Sequence, residues 1–431
     1  MLWLAAIATA QPADFRPPGG QPSLLLTPAR LRLLQRERAR RSPRWQQLDL
    51  LVGGKTALPE PAFAEALYFQ ANGDKAVARR AIARALGEGL DLRQLALVFD
   101  WCQPALTPPE SAALAAKLER AIARPPAGAS VQEARSRAFA AIALADAAPA
   151  ASERELRRIV EIWWGGTAIP GLSAGRDVLP REARYALFEL LHAVRDNLNL
   201  DLRESARDYF RELPALDLLS YYPEPYSAPE NEYRLPGSPR SQPDVRAAEA
   251  ARAADLAMAA YDTTSAATQY LQGWLMHDLF AMHGAYGAPY EFLWADPYQP
   301  GLSYFHAPLA AHDAVTGRLF IRSSWDDDAR WAGLSGGMLQ VWADGKAQNI
   351  DLASPKLLDF DAAVVAVTGG ASSFAFEKQV ARLFLVGLKP RGRYRIAAGS
   401  REREETADAG GIVELEFPDG FRGTIRLRPQ R

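Results

Sequence analysis

The side chains able to exchange protons, attack or ligate a metal are few in this chain: five histidines, one cysteine, and a handful of clustered carboxylates and phenols. His277 and His283 stand six apart on one expected helix, which does not bring them together, and His306 and His312 fall in an irregular stretch. No histidine pair is set to hold a metal, and no cofactor is expected. His192 lies seven residues after Tyr185, on the same helical face about 10 Å away, with Glu189 between them. That face can line a site, but the pair is too far apart for direct proton exchange. Asp326-Asp327-Asp328 reads as a turn between strands, because no further acidic ligands follow at calcium-loop spacing. Cys102, alone, forbids an intramolecular disulfide and reads as a buried thiol.

A different chemistry is written in the loop from Tyr221-Tyr222-Pro223-Glu224-Pro225-Tyr226 to Glu230-Asn231-Glu232-Tyr233-Arg234. Aromatic faces stack on the apolar faces of sugar rings, and neighbouring carboxylates take the hydroxyls. Tyr222, Tyr226 and Tyr233, with Trp163 beside Trp164, are therefore candidate sugar contacts; the other reading is a loop packed by its own aromatics.

These residues must be positioned by elements that change character along the chain. At 431 residues and 48% hydrophobic, the chain can bury a large core and suits two domains. The formal charge of -1 removes the field a nucleic-acid or anionic-membrane binder relies on. From Thr27 to about Gly284, Ala, Leu, Arg and Glu recur at helical spacing. Thr27-Pro28 starts an amphipathic run from Leu31 to Leu48, Asp74 and Asp91 are N-caps, and Thr107 to Glu110 has capping-box spacing. Further helices are expected over Val131 to Ala145, Ser152 to Trp164, Pro180 to Arg195, Leu202 to Phe210, Val245 to Tyr261 and Ser265 to His283. Past Ala311 come short runs rich in β-branched and aromatic residues, with Asp344-Gly345 and Asp419-Gly420 as hairpin turns. The expected fold is multidomain, α then β: an (α/α) toroid of helical hairpins over 11–297, a linker over 298–315, and a small antiparallel β-sandwich over 316–431. From Val380 onward there are 11 Lys/Arg against 7 Asp/Glu, read as solvated strand faces or, alternatively, as an anion-facing surface. Leu2 to Ala8 followed by Ala8-Thr9-Ala10 has the pattern of an export signal over 1–10, which implies a periplasmic or secreted protein. No other stretch reaches the roughly 18 apolar residues of a membrane span.

Several segments resemble the heparinase II/III-like and alginate-lyase-like polysaccharide lyases. They are Gln21-Pro22-Ser23-Leu24-Leu25-Leu26-Thr27-Pro28 with Ser42-Pro43-Arg44-Trp45, then Ala66-Leu67-Tyr68 through Gly73-Asp74, Asp100-Trp101 and Leu106-Thr107-Pro108. Tyr290-Glu291-Phe292-Leu293-Trp294 and Arg322-Ser323-Ser324-Trp325-Asp326 resemble the family's hinge and first sandwich strand. The resemblance implies an exported, glycan-directed protein acting on acidic poly- or oligosaccharides by β-elimination. Such a reaction needs a base, an acid, and donors that neutralise the uronate carboxylate. By resemblance Tyr185 is the base or acid, with Arg184 and Arg181 lowering its phenol, while Gln132 and Arg135 stand where the family places its Asn-His pair. Glu182, by its location, and His192, by its place on the Tyr185 face, are further candidate substrate contacts. The family's histidines are missing: Gln132-Glu133-Ala134-Arg135 has none, and Leu334-Ser335-Gly336-Gly337 runs directly into the next strand without the His-rich loop. A catalytically silent glycan binder is the alternative, and a toroid glycoside hydrolase using Glu182 and Glu230 a third reading.

Overall fold

A computed structural model of the chain describes residues 15–223, 245–277 and 284–430; the expected export signal and His283 lie outside these. Helices occupy Pro28 to Trp294 and strands Ala310 to Pro429, so the helical part precedes the β part as expected. The described residues fall into two compact units. One draws on the described part of 1–32, Pro61–Trp164 and Leu190–Leu202, and the other on Leu33–Glu60, Gly165–Glu189 and the described part of 203–431.

Helix α1 (Pro28–Ala39) starts at the Thr27-Pro28 signal and stops before Arg41, whose φ of 49° is left-handed. Ser42 then caps α2 (Pro43–Gly53), its hydroxyl accepting the Trp45 N–H at 3.2 Å. The single amphipathic run expected over Leu31 to Leu48 is thus two helices, because Ser42-Pro43 restarts the chain inside it.

In the first unit α3 (Pro61–Asn72), α4 (Lys75–Leu86), α5 (Leu92–Trp101), α6 (Pro108–Ala123), α7 (Val131–Ala143) and α8 (Pro149–Arg157) pack on their sequence neighbours. The three expected caps are all made: Asp74 and Asp91 accept backbone N–H groups of the following turn, and Thr107 forms a capping box with Glu110. From Arg93 to Trp101, α5 is buried at every position. Its end holds the N-terminal segment. The Asp100 carboxylate accepts the Ser23 and Leu24 N–H groups, both at 2.9 Å, and Trp101 Nε1 donates to the Leu24 carbonyl at 2.9 Å. Burial raises the Asp100 carboxyl to about 6, even though these hydrogen bonds pull it back. Two of the segments that carry the family resemblance are therefore partners in one packing contact. After Arg157 the expected α-helix to Trp164 instead widens into π-helix over Arg158–Ala168, ahead of α9 (Ile169–Ser173).

The second unit contains the β part and the helices α11 (Arg207–Leu219), α12 (Val245–Tyr261), α13 (Ala266–His277) and α14 (Gly287–Trp294); α10 (Arg184–Leu198) begins in it. The resemblance implied a hinge at Tyr290 to Trp294. That segment is a helix buried at every position, with Glu291 paired to Arg44 at 2.9 Å and Arg252 at 3.7 Å.

Strands β1 (Ala310–Asp313), β2 (Arg318–Arg322), β3 (Trp331–Ser335), β4 (Met338–Ala343) and β5 (Lys346–Ile350) form an antiparallel sheet in sequence order. The first of them falls inside the stretch read as linker. A second sheet is ordered β10-β9-β11-β8-β7-β6, from β6 (Lys356–Asp359), β7 (Val364–Val367), β8 (Ser373–Val386), β9 (Arg393–Ala398), β10 (Arg401–Thr406) and β11 (Val413–Pro429). All its pairings are antiparallel except that of β7 with β8. Leu319, Ile321, Ala332 and Leu334 share one core with Val365, Val367, Phe384 and Val386, which makes the two sheets a sandwich. The far face of the second sheet buries another cluster, including Phe374, Leu383, Leu385, Ile396, Leu415 and Ile425. Strand β2 is buried at every position because α11 covers its outer side.

Asp344-Gly345, at φ 52° and 71°, makes the expected tight turn between β4 and β5. Asp419-Gly420 does not. It lies within β11, which runs on past it beside β8, and the extra residues appear as register shifts between Glu416 and Gly423.

Candidate functional site

Tyr185, the second residue of α10, is 8% exposed. Its hydroxyl donates to Glu189 Oε1 at 2.8 Å and accepts from Trp294 Nε1 at 3.0 Å, and its ring meets Tyr290 edge-on at 4.8 Å. Both sides of the phenol oxygen are engaged within the protein. Nor does its neighbour serve it: Arg184, 1% exposed, directs its guanidinium to Asp217, which Arg181 also faces at 3.7 Å. The cationic company expected for the phenol goes to an aspartate instead, since a buried arginine needs a carboxylate more than a neutral tyrosine does.

The other implied residues sit apart in kind. Gln132 and Arg135 belong to the first unit, on α7. Gln132 is exposed, while Arg135 donates to Ser136 Oγ at 3.3 Å and lies 5.9 Å over the Phe139 ring. Between them Glu133 accepts the Ala127 and Gly128 N–H groups at 2.7 and 2.8 Å, so it closes the preceding loop. His192 is in the first unit too, 1% exposed, with Nδ1 3.1 Å from Arg195 Nη2. Trp163 is buried with its indole N–H on the Ala129 carbonyl at 2.8 Å. Glu182, in the 3₁₀ turn before α10, is exposed.

Tyr222 was read as part of a sugar-facing loop. It is 3% exposed, stacked on Trp342 at 4.3 Å, edge-on to Trp331 at 5.0 Å, and bonded through its hydroxyl to Gln340. Its neighbour Tyr221 bonds Asp255 at 2.7 Å. The start of the loop is thus core packing against the first sheet. Tyr226, Glu230 and Tyr233 lie outside the described residues.

A buried histidine between two carboxylates stands in the stretch expected to be a linker. His312, on β1 of the first sheet, is buried with Nδ1 2.8 Å from Glu414 and Nε2 2.8 Å from Asp408, on and just before β11 of the second sheet. A neutral imidazole has one N–H, and carboxylates at both nitrogens call for the imidazolium. Burial alone would lower its pKa, but the hydrogen bonds to Asp408 and then Glu414 prevail and raise it to about 9. Glu414 is desolvated as well, yet the bonds from His312 and from Arg382 Nε, the latter at 2.6 Å, hold it below its ordinary value. Asp408 Oδ1 accepts the Gly410 and Ile412 N–H groups, both at 2.8 Å. Two cations and two carboxylates thus join the sheets as a neutral set. No local spacing announces it, since the acidic partners stand about a hundred residues further on.

Asp408 also lines a cleft of about 440 Å³ within the second unit. Its walls are the end of α9, the 3₁₀ turn before α11 with the first turn of that helix, the β1–β2 turn at Ala314 and Val315, Arg391, and the chain from Thr406 to Ala409. Among the described residues no group of three or more His, Cys, Asp or Glu has the arrangement to hold a metal, and no helix is long and apolar enough to cross a membrane. Compared with models of known protein families and with curated proteins, the chain finds no match.

Proposed function

We infer that the chain is an exported, glycan-directed protein, related in architecture to the heparinase II/III-like lyases, that binds acidic saccharide without eliminating across a uronide at Tyr185. The glycan class rests on the order and residues of the resembling segments. Loss of the elimination is supported by one observation: the Tyr185 hydroxyl donates a hydrogen bond to Glu189 and accepts the Trp294 N–H. A general acid must aim its proton at the substrate, and here that proton is directed to Glu189 while the Trp294 N–H occupies a lone pair. The missing Asn-His pair and sandwich histidine support the same reading.

Incubation with alginate, heparin, heparan sulfate and hyaluronan tests it, following the ultraviolet absorbance of unsaturated uronate alongside retention on the immobilised glycans. Retention without an absorbance rise is expected. A rise that Tyr185→Phe abolishes overturns the non-eliminating form, and no retention on any acidic glycan overturns the glycan class.

A further inference from the structure

We propose that the cleft beside the start of α11 seats a carboxylate carried on a sugar ring, with Arg391 as its anchor. The proposal rests on the preceding reading for the sugar and not for the carboxylate.

Charge accounting in the cleft carries the argument. Glu204 is paired with Arg207, Asp208 with Arg211 at 3.1 Å, and Asp408 with His312 at 2.8 Å. Each lining carboxylate is thereby matched. Arg391 is left over: it is exposed, donates from Nη2 to the Ser173 carbonyl at 3.3 Å, and enters no ion pair among the described residues. Lys389 and Arg393, its exposed near neighbours in sequence, likewise enter no ion pair among the described residues. A guanidinium with unused donors in a fixed fork matches a carboxylate in bidentate fashion.

Its position is built rather than incidental. Arg391 has a φ of 57°, a left-handed conformation that costs a non-glycine residue, and its N–H is held on the Asp408 carbonyl at 3.1 Å. Gly175 leaves the space the side chain uses: a Cβ there would stand 2.9 Å from Arg391 Nη2. The cleft volume is within the about 300–1,000 Å³ of small-ligand sites. Leu172 and Val315 offer an apolar wall for ring carbons, and Thr406 lines the cleft as a polar residue for the sugar rim.

The test uses the full chain. Arginine modification by phenylglyoxal is mapped by mass spectrometry with an alginate tetrasaccharide, with cellotetraose as the neutral counterpart, with sodium acetate and with inorganic phosphate. Calorimetry of the tetrasaccharide follows on wild type, Arg391→Gln and the cleft-filling Ala409→Leu. The tetrasaccharide is expected to slow modification of Arg391 severalfold but not of Arg395, cellotetraose to leave both unchanged, and each variant to weaken binding about tenfold, the scale of a lost charge-assisted pair. If the tetrasaccharide binds while Arg391 reacts at its free rate and both variants bind as wild type, the cleft assignment falls and the glycan reading stands. If only acetate protects Arg391 and the tetrasaccharide does not bind, the carboxylate seat stands and the glycan reading falls. Protection by phosphate in preference to either carboxylate overturns the ligand class, and protection by none, with no calorimetric binding of the tetrasaccharide, overturns both inferences. Should Arg391→Gln fail to fold, the wild-type modification pattern decides.

Discussion

Tyr185 and His312 are both buried, both bonded to carboxylates, and both in the second unit, yet they differ in what burial does to them. Tyr185 and Glu189 lie one turn apart on one helix, and the tyrosine adds a neutral hydroxyl and a ring to a packed wall with Tyr290 and Trp294. His312 joins partners on another sheet and brings a full positive charge between two acids. A local hydrogen bond can be lost with modest consequence. An inter-sheet ion set cannot, because each remaining group is left charged in a poor solvent. The residue whose type and neighbours suggested chemistry is bonded into a packed wall, and the one assigned to a linker bridges the two sheets.

The sharpest way to break this comparison is His312→Leu. Removing the imidazolium leaves Asp408 beside Glu414 with only Arg382 as countercharge, and the expected loss is about 3–5 kcal/mol of unfolding free energy. Urea titration near neutral pH measures it; a loss under about 1 kcal/mol would mean the two sheets do not depend on this set.

Next in size is the pH dependence of the wild type. The folded pKa of His312 is raised to about 9 from an ordinary 6.5, so its stabilising contribution is complete below about 6.5 and disappears as pH rises through about 9. That amounts to about 3 kcal/mol across the interval, from the shift at about 1.4 kcal/mol per unit. Glu414 acts in the opposite direction: its pKa is depressed, so its contribution is present above about 4.5 and is lost as pH falls through the lower folded value. Denaturation midpoints from pH 4 to 10 should therefore fall on the alkaline side, and His312→Leu should flatten that limb. An alkaline limb unchanged in the variant would assign the dependence to another group.

Tyr185→Phe tests the other half of the comparison. It removes the hydrogen bonds that the hydroxyl makes to the buried Glu189 and from the Trp294 N–H while keeping the ring contact with Tyr290, for an expected cost of about 1–3 kcal/mol, smaller than that of His312→Leu. Thermal unfolding of the two variants side by side gives the ranking, and a reversal would make Tyr185 the structural keystone.

The same contrast explains what could be read in advance. Caps at Asp74, Asp91 and Thr107 and the tight turn at Asp344-Gly345 rest on residues within three or four positions of one another, and all are found where expected. The change from helical to β-branched patterning likewise marks the passage from helices to sheets. Asp419-Gly420 misleads because a bulge and a hairpin use the same dipeptide, and only the length of the partner strand β8 tells them apart. Tyr222 misleads because the ring that covers it, Trp342, is supplied from a distant strand. His312 escapes notice for the same reason, as both its carboxylates come from the far end of the β part.

The smallest expected effects concern the pair that resemblance assigned to carboxylate neutralisation. Gln132 is an exposed side chain on α7, and Arg135 touches Ser136 and Phe139 of its own helix. Substitutions on such a face ordinarily change stability by less than about 0.5 kcal/mol. Gln132→Ala and Arg135→Ala should therefore leave both unfolding and binding of the alginate tetrasaccharide close to wild type, whereas Arg391→Gln should not. If instead Arg135→Ala weakened binding as much as Arg391→Gln, the saccharide would contact α7, and the elimination chemistry would have to be sought there with a base other than Tyr185.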